Sequence, residues 1–136
     1  MAKSIHGSCV CGTVSYEVSE PFRDFYLCHC HRCQKTTGSA HATNLFSELS
    51  SITWLSGIDS VKNFDLPEAE FFNHSFCSNC GSPVPRRARS GEFLIIPAGS
   101  LDAAPEKMPE RNIFWDSRAD WYDEGCSSKK FSEYPG

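Results

Sequence analysis

Short stretches of alternating apolar and polar residues, interrupted by Gly and Pro, run through most of this chain. Thr13-Val14-Ser15-Tyr16-Glu17-Val18 places Val14, Tyr16 and Val18 on one face, the two-residue period of a half-buried strand. Asp24-Phe25-Tyr26-Leu27 reads as a strand running straight into Cys28. Ile52-Thr53-Trp54-Leu55 stops at Ser56-Gly57, and Val61-Lys62-Asn63-Phe64 follows as its expected hairpin partner. Glu70–Phe76 leads into Cys77, Phe93–Ile96 is an apolar run ending at Pro97, and Arg111–Trp115 predicts the last strand. Helical spacing is scarce: one or two turns from Arg32 to Thr37, stopped by Gly38. Many short strands with Gly/Pro turns predict an all-β, mainly antiparallel fold.

No repeat, low-complexity segment or Gly/Ser linker divides the 136 residues. They predict a single domain over 1–136, with a core over about 5–123 and a polar, loosely ordered tail over 124–136. Trp121 and Tyr122, just before that tail, are placed to anchor it. Phe71, Phe72 and Phe76 are expected in the core. Arg86, Arg87 and Arg89 are expected on a solvated face, with contact to the carboxylates of an acidic thiol as the alternative.

Composition narrows the function. A net charge of −4 argues against bulk nucleic-acid binding. No stretch approaches the roughly 20 apolar residues of a membrane span. Met1–His6 holds no apolar signal core, so the expected setting is cytoplasmic. Eight cysteines would suit a disulfide scaffold, yet tight Cys-x-Cys and Cys-x-x-Cys spacings in a reducing compartment favour metal ions.

Seven of the cysteines divide into four plus three. Cys9 and Cys11, as alternate residues on an extended segment, can reach one ion, and Gly12 lets the backbone bend close to it. Cys77-Ser78-Asn79-Cys80-Gly81 has the spacing of a zinc knuckle. Together the two pairs make a closed four-thiolate site, which is structural. Cys28, Cys30 and Cys33 are one ligand short, and a zinc held by three protein ligands keeps a position for a substrate. Three thiolates acidify water poorly but suit a soft fourth ligand such as a substrate thiolate, pointing to thiol chemistry. His29 and His31 are expected to point away from this ion, whereas His41 could fold back toward it. A histidine completing the sphere would make this site structural too. Cys126 is expected to be a free thiol.

The chain resembles the glutathione-dependent formaldehyde-activating enzyme family, which includes the centromere protein V relatives. The resemblance rests on Gly7-Ser8-Cys9-Val10-Cys11-Gly12, on Cys28-His29-Cys30-His31-Arg32-Cys33-Gln34-Lys35 with Gly38-Ser39-Ala40, and on Phe76-Cys77-Ser78-Asn79-Cys80-Gly81-Ser82-Pro83. Ala98-Gly99-Ser100-Leu101-Asp102 and Trp121-Tyr122 add support. It implies a zinc-stabilised β-tent with two zinc ions per chain. Cys9, Cys11, Cys77 and Cys80 would hold the structural ion, and Cys28, Cys30 and Cys33 the catalytic one. The implied activity is a carbon–sulfur lyase forming S-(hydroxymethyl)glutathione from glutathione and formaldehyde. The expected partners are a small thiol and an aldehyde, with no nucleic acid or membrane, and His41 and Lys35 are the candidate proton donors. Two other functions compete: a non-catalytic protein-interaction module with two structural zinc sites, and a redox sensor built on the cysteine trio.

Overall fold

The chain begins with an antiparallel pair, β1 (Ser4–Ser8) and β2 (Ser15–Ser19), in the computed structural model, which describes residues 3–136. Met1 and Ala2, the start of the N-terminal segment read above, lie outside the described residues. In β2 the alternation holds: Tyr16 and Val18 are fully buried, as is Val14 just before the strand. Tyr16 stands opposite Gly7, and a Cβ at Gly7 would overlap its ring, so the tyrosine packs where β1 has no side chain.

β3 (Asp24–Cys28) runs into α1 (His31–Thr37), which Gly38 terminates in the left-handed conformation. β4 (Ala42–Ser47) returns antiparallel to β3. β5 (Ile52–Ser56) then joins β2, completing a three-stranded sheet in the order β1-β2-β5.

β6 (Val61–Asp65) is not the hairpin partner of β5, contrary to expectation. It pairs with β7 (Asn73–Cys77) in a separate two-stranded sheet. Gly57 is the reason. Its φ of 73° starts a 3-10 turn over Ile58–Ser60 that redirects the chain away from β5. A Cβ there would also stand 2.1 Å from the Thr13 carbonyl oxygen. Gly57→Ala is therefore expected to cost at least about 2 kcal/mol, combining left-handed strain with a backbone clash, and to lower Tm by several degrees. A melting curve matching wild type would show that the turn relaxes freely.

β8 (Arg86–Arg87), β9 (Leu94–Pro97) and β10 (Arg111–Ile113) complete a five-stranded sheet in the order β10-β3-β4-β9-β8. Every strand pairing is antiparallel except β10 with β3. Ile5, Tyr16, Val18, Phe22, Phe25, Leu45, Leu94 and Ile96 form the main core, with strands of the three- and five-stranded sheets contributing. A smaller cluster of Cys9, Val14, Cys77 and Val84 lies under the first and third cysteine segments.

Three phenylalanines depart from expectation. Phe71 is exposed, while Phe72 and Phe76 are only partly buried and belong to neither core cluster. The polar tail also begins with order: α2 (Tyr122–Ser127) spans the expected boundary at residue 124. Tyr122 packs edge-on against His29, His41 and Trp115, anchoring this helix, whereas Trp121 is exposed. Among the described residues, no helix is long and apolar enough to cross a membrane.

Candidate metal centres

The first cysteine pair sits in a tight turn, not on an extended segment. β1 ends at Ser8, and Cys9 N–H donates to the Val14 carbonyl at 3.0 Å while Gly12 N–H donates to the Cys9 carbonyl at 3.0 Å. Gly12, at φ 81°, permits the reversal that brings the buried Cys9 sulfur and the exposed Cys11 sulfur together. The second pair follows β7 as the spacing predicts: Gly81 N–H donates to the Cys77 carbonyl at 2.7 Å, closing the knuckle.

The sulfurs of Cys9, Cys11, Cys77 and Cys80 all lie within 4.8 Å of one another and could hold a metal ion. Zn–S bonds of about 2.3 Å in a tetrahedron require sulfurs roughly 3.8 Å apart. The Cys9–Cys11 separation is 3.5 Å and the Cys11–Cys77 separation 3.9 Å, bracketing that value. The surroundings favour thiolates. Val14 N–H donates to Cys9 Sγ at 3.3 Å and Asn79 Nδ2 to Cys11 Sγ at 3.2 Å. Hydrogen bonding to Thr13 and then Asn79 lowers Cys11 to about 7, and hydrogen bonding to Ser82 lowers Cys80 to about 5.

Cys28, Cys30 and Cys33 form the second group, again with every sulfur within 4.8 Å of the others. Cys28 ends β3, Cys30 is the N-cap of α1, and Cys33 lies in the first helical turn. The Cys30 sulfur accepts the Cys33 N–H at 3.3 Å, doing the work that a Ser or Asp oxygen does at most helix starts. Hydrogen bonds with its two neighbours, Cys28 foremost, pull Cys30 to about 2, while contact with Cys30 raises Cys28. The neighbouring sulfurs, Cys28 first and then Cys30, raise Cys33, with burial adding to them. Three crowded thiols resist ionising together, which is the condition a divalent cation relieves.

Among the described residues, no histidine nitrogen joins this trio. His29 turns away, as expected from its alternation with Cys28 and Cys30. It is fully buried, with Nε2 2.9 Å from Asn112 Oδ1 and its ring 5.0 Å from those of His41 and Trp115. Gln34 of α1 holds this segment by donating to the carbonyls of His29 and Ser117. His31 is exposed. Cys126 sits exposed on α2 and joins neither sulfur group.

Both groups border one cavity of about 710 Å³, reached by Cys9 from one and Cys33 from the other. His41 lines it, as do Phe72, His74, Arg86 and Asp102, but Lys35 does not. Burial, with repulsion from His29 second, holds His41 below the ordinary imidazole value. Arg86 corrects the expectation of a solvated basic face: only Arg87 of the three is exposed. Arg89 Nη1 donates to the carbonyls of Leu66, Ala69 and Phe72, so it serves the loop before β7. The signal in the sequence was the strand period itself, since adjacent arginines on a strand face opposite sides.

A family model described as "Glutathione-dependent formaldehyde-activating enzyme" matches residues 4–117. Among solved structures, a Rhodobacter sphaeroides protein is similar at a TM-score of 0.62 and 24% identity, over 79% of this chain and 98% of that one. That likeness concerns the fold. No curated protein matches the chain.

Proposed function

The chain belongs to the glutathione-dependent formaldehyde-activating enzyme family, and from that premise we propose that it is a zinc-dependent carbon–sulfur lyase joining a small thiol to an aldehyde, with glutathione and formaldehyde as the pair. One observation carries this reading. The second sulfur group has three members where the first has four, and its Cys33 borders a cavity of substrate size. Cys28, Cys30 and Cys33 would hold a zinc ion, which supplies a position for a soft thiolate and keeps it ionised near neutral pH. None of the eight cysteines is tied up in a disulfide, so every sulfur of the two groups is available to a metal ion.

His41 is the proton carrier in this scheme, in preference to the exposed Lys35, which does not border the cavity. Neutral His41 accepts the proton of the incoming thiol. The sulfur lone pair forms the carbon–sulfur bond as the carbonyl π pair moves to oxygen. His41 then returns the proton to that oxygen, and cleavage of the adduct runs the same steps backwards. The depressed pKa keeps the imidazole neutral at pH 7, so the acid limb of activity is expected below the ordinary value of 6.5. His41→Gln is expected to lose that limb and about 10²- to 10⁴-fold of the catalysed rate while keeping its zinc. An unchanged rate and pH profile would give the proton transfer to another group.

The primary test is NMR exchange between glutathione and its hydroxymethyl adduct. Exchange above the spontaneous rate, proportional to zinc-loaded protein, supports the lyase. Exchange at the spontaneous rate with both ions in place rejects this pair and favours the interaction module.

A further inference from the structure

The cavity, about 710 Å³, is far larger than formaldehyde and a thiol sulfur would fill, so the rest of the thiol substrate must meet its walls. Those walls carry opposite charges at two places. Asp102 is the carboxylate, accepting a hydrogen bond from Ser8 Oγ at 2.9 Å. Arg86 is the cation. His41 and His74 also line the space, but burial holds both below the ordinary imidazole value and leaves them neutral at pH 7.

Arg86 is held in place by one end only. Its Nε donates to Asn73 Oδ1 at 2.9 Å, and Asn73 Nδ2 donates to the Arg87 carbonyl at 3.0 Å, so neither amide nor guanidinium is free to rotate. Asn73 is itself buried. Among the described residues, the terminal nitrogens of Arg86 make no hydrogen bond, and no carboxylate comes within 4.0 Å of its guanidinium. A guanidinium stays protonated even where burial disfavours its charge. The sulfurs of Cys33 and Cys28 favour its charge from a distance, but they leave its terminal nitrogens without a hydrogen-bond partner among the described residues and open to a further anion in the cavity. The planar fork matches a carboxylate through two parallel hydrogen bonds.

We propose that Arg86 receives a carboxylate of the thiol substrate, making this a site for carboxylate-bearing thiols over neutral ones. The assignment rests on the lyase reading for the identity of the ligand as a thiol. Asp102, elsewhere on the wall, orients the molecule by repelling a carboxylate there and accepting an ammonium group.

The test uses zinc-loaded protein and two unreactive probes, S-methylglutathione and its dimethyl ester, with binding measured by calorimetry. Wild type is expected to bind the free acid about tenfold to a hundredfold more tightly than the ester, the size of a charge-assisted pair. Arg86→Gln should erase that preference, and Arg86→Lys should retain part of it. Equal binding of acid and ester by wild type overturns the proposal, and this arm needs no variant to fold. Equal loss of both probes in Arg86→Gln, together with loss of zinc, also overturns it, making Arg86 only a counter-charge for the sulfurs. Formaldehyde exchange with 2-mercaptoethanol separates this proposal from the lyase reading. Accelerated exchange without an acid–ester preference keeps the lyase and removes the carboxylate site. A preference without accelerated exchange does the reverse.

Discussion

Cys80→Ser is expected to unfold most of the chain and release the metal held by the first sulfur group. Cys80 is one of four sulfurs that tie the turn between β1 and β2 to the knuckle after β7. Around them the apolar support is thin: Val14 and Val84 are the only buried aliphatic side chains in that cluster. The β6–β7 sheet adds little, since β6 is largely exposed and Phe64 shows half its surface to solvent. Damage at the turn also reaches the main core through β2, which carries Tyr16 and Val18 into it. Structural zinc contributes about 10–16 kcal/mol of apparent binding energy in small zinc domains. Net stability of a domain is about 5–15 kcal/mol, so losing even part of that term leaves little margin. Thermal melting and zinc content measured together test this. A wild-type melt with full zinc would remove the structural role, while Cys126→Ser, outside both groups, should change neither measurement.

Where the physics was local, the sequence was legible. The Val14-Tyr16-Val18 face, the Arg32–Thr37 helix with its Gly38 stop, and the Cys77-x-x-Cys80 knuckle are each decided within a few residues. The grouping of cysteines into four and three also followed from spacing. Three strands escaped: β8 is only the arginine pair Arg86–Arg87, and β1 and β4 have inward residues that are not apolar in the usual way. β1 turns Ile5 and Gly7 inward, and the glycine leaves no hydrophobic mark. β4 buries Asn44 and Ser47 beside Leu45, hiding its period. The partner of β6 was illegible because proximity along the chain favoured β5, whereas one left-handed glycine decided against it. Within the site, the Arg run read as one basic patch although its members face the cavity, the solvent and a loop. The pairing of β10 with β3, which brings Asn112 to His29, joins segments far apart in sequence and had no local signal.

Cys30→Ser is expected to reduce formaldehyde–glutathione exchange to the spontaneous rate while the fold survives with one zinc instead of two. Position 30 separates function from stability better than its neighbours do. Cys28 and Cys33 are each only 6% exposed, so changing either places a hydroxyl among packed atoms. Cys30 is half-buried and serves as the helix N-cap, where a serine oxygen is among the preferred groups. Serine can therefore accept the Cys33 N–H in place of the sulfur, and α1 should start where it does now. The metal group is less forgiving. It falls to two thiolates and a hydroxyl that stays protonated at neutral pH, too little to hold zinc in competition with water. The first sulfur group shares no residue with it and should keep its ion. Zinc analysis, melting and exchange on the same sample give three independent readouts. Lost exchange with one zinc and a wild-type melt assigns the reaction to the trio. Full exchange with one zinc would place the chemistry away from Cys28, Cys30 and Cys33, and a collapsed melt would make the trio a structural site.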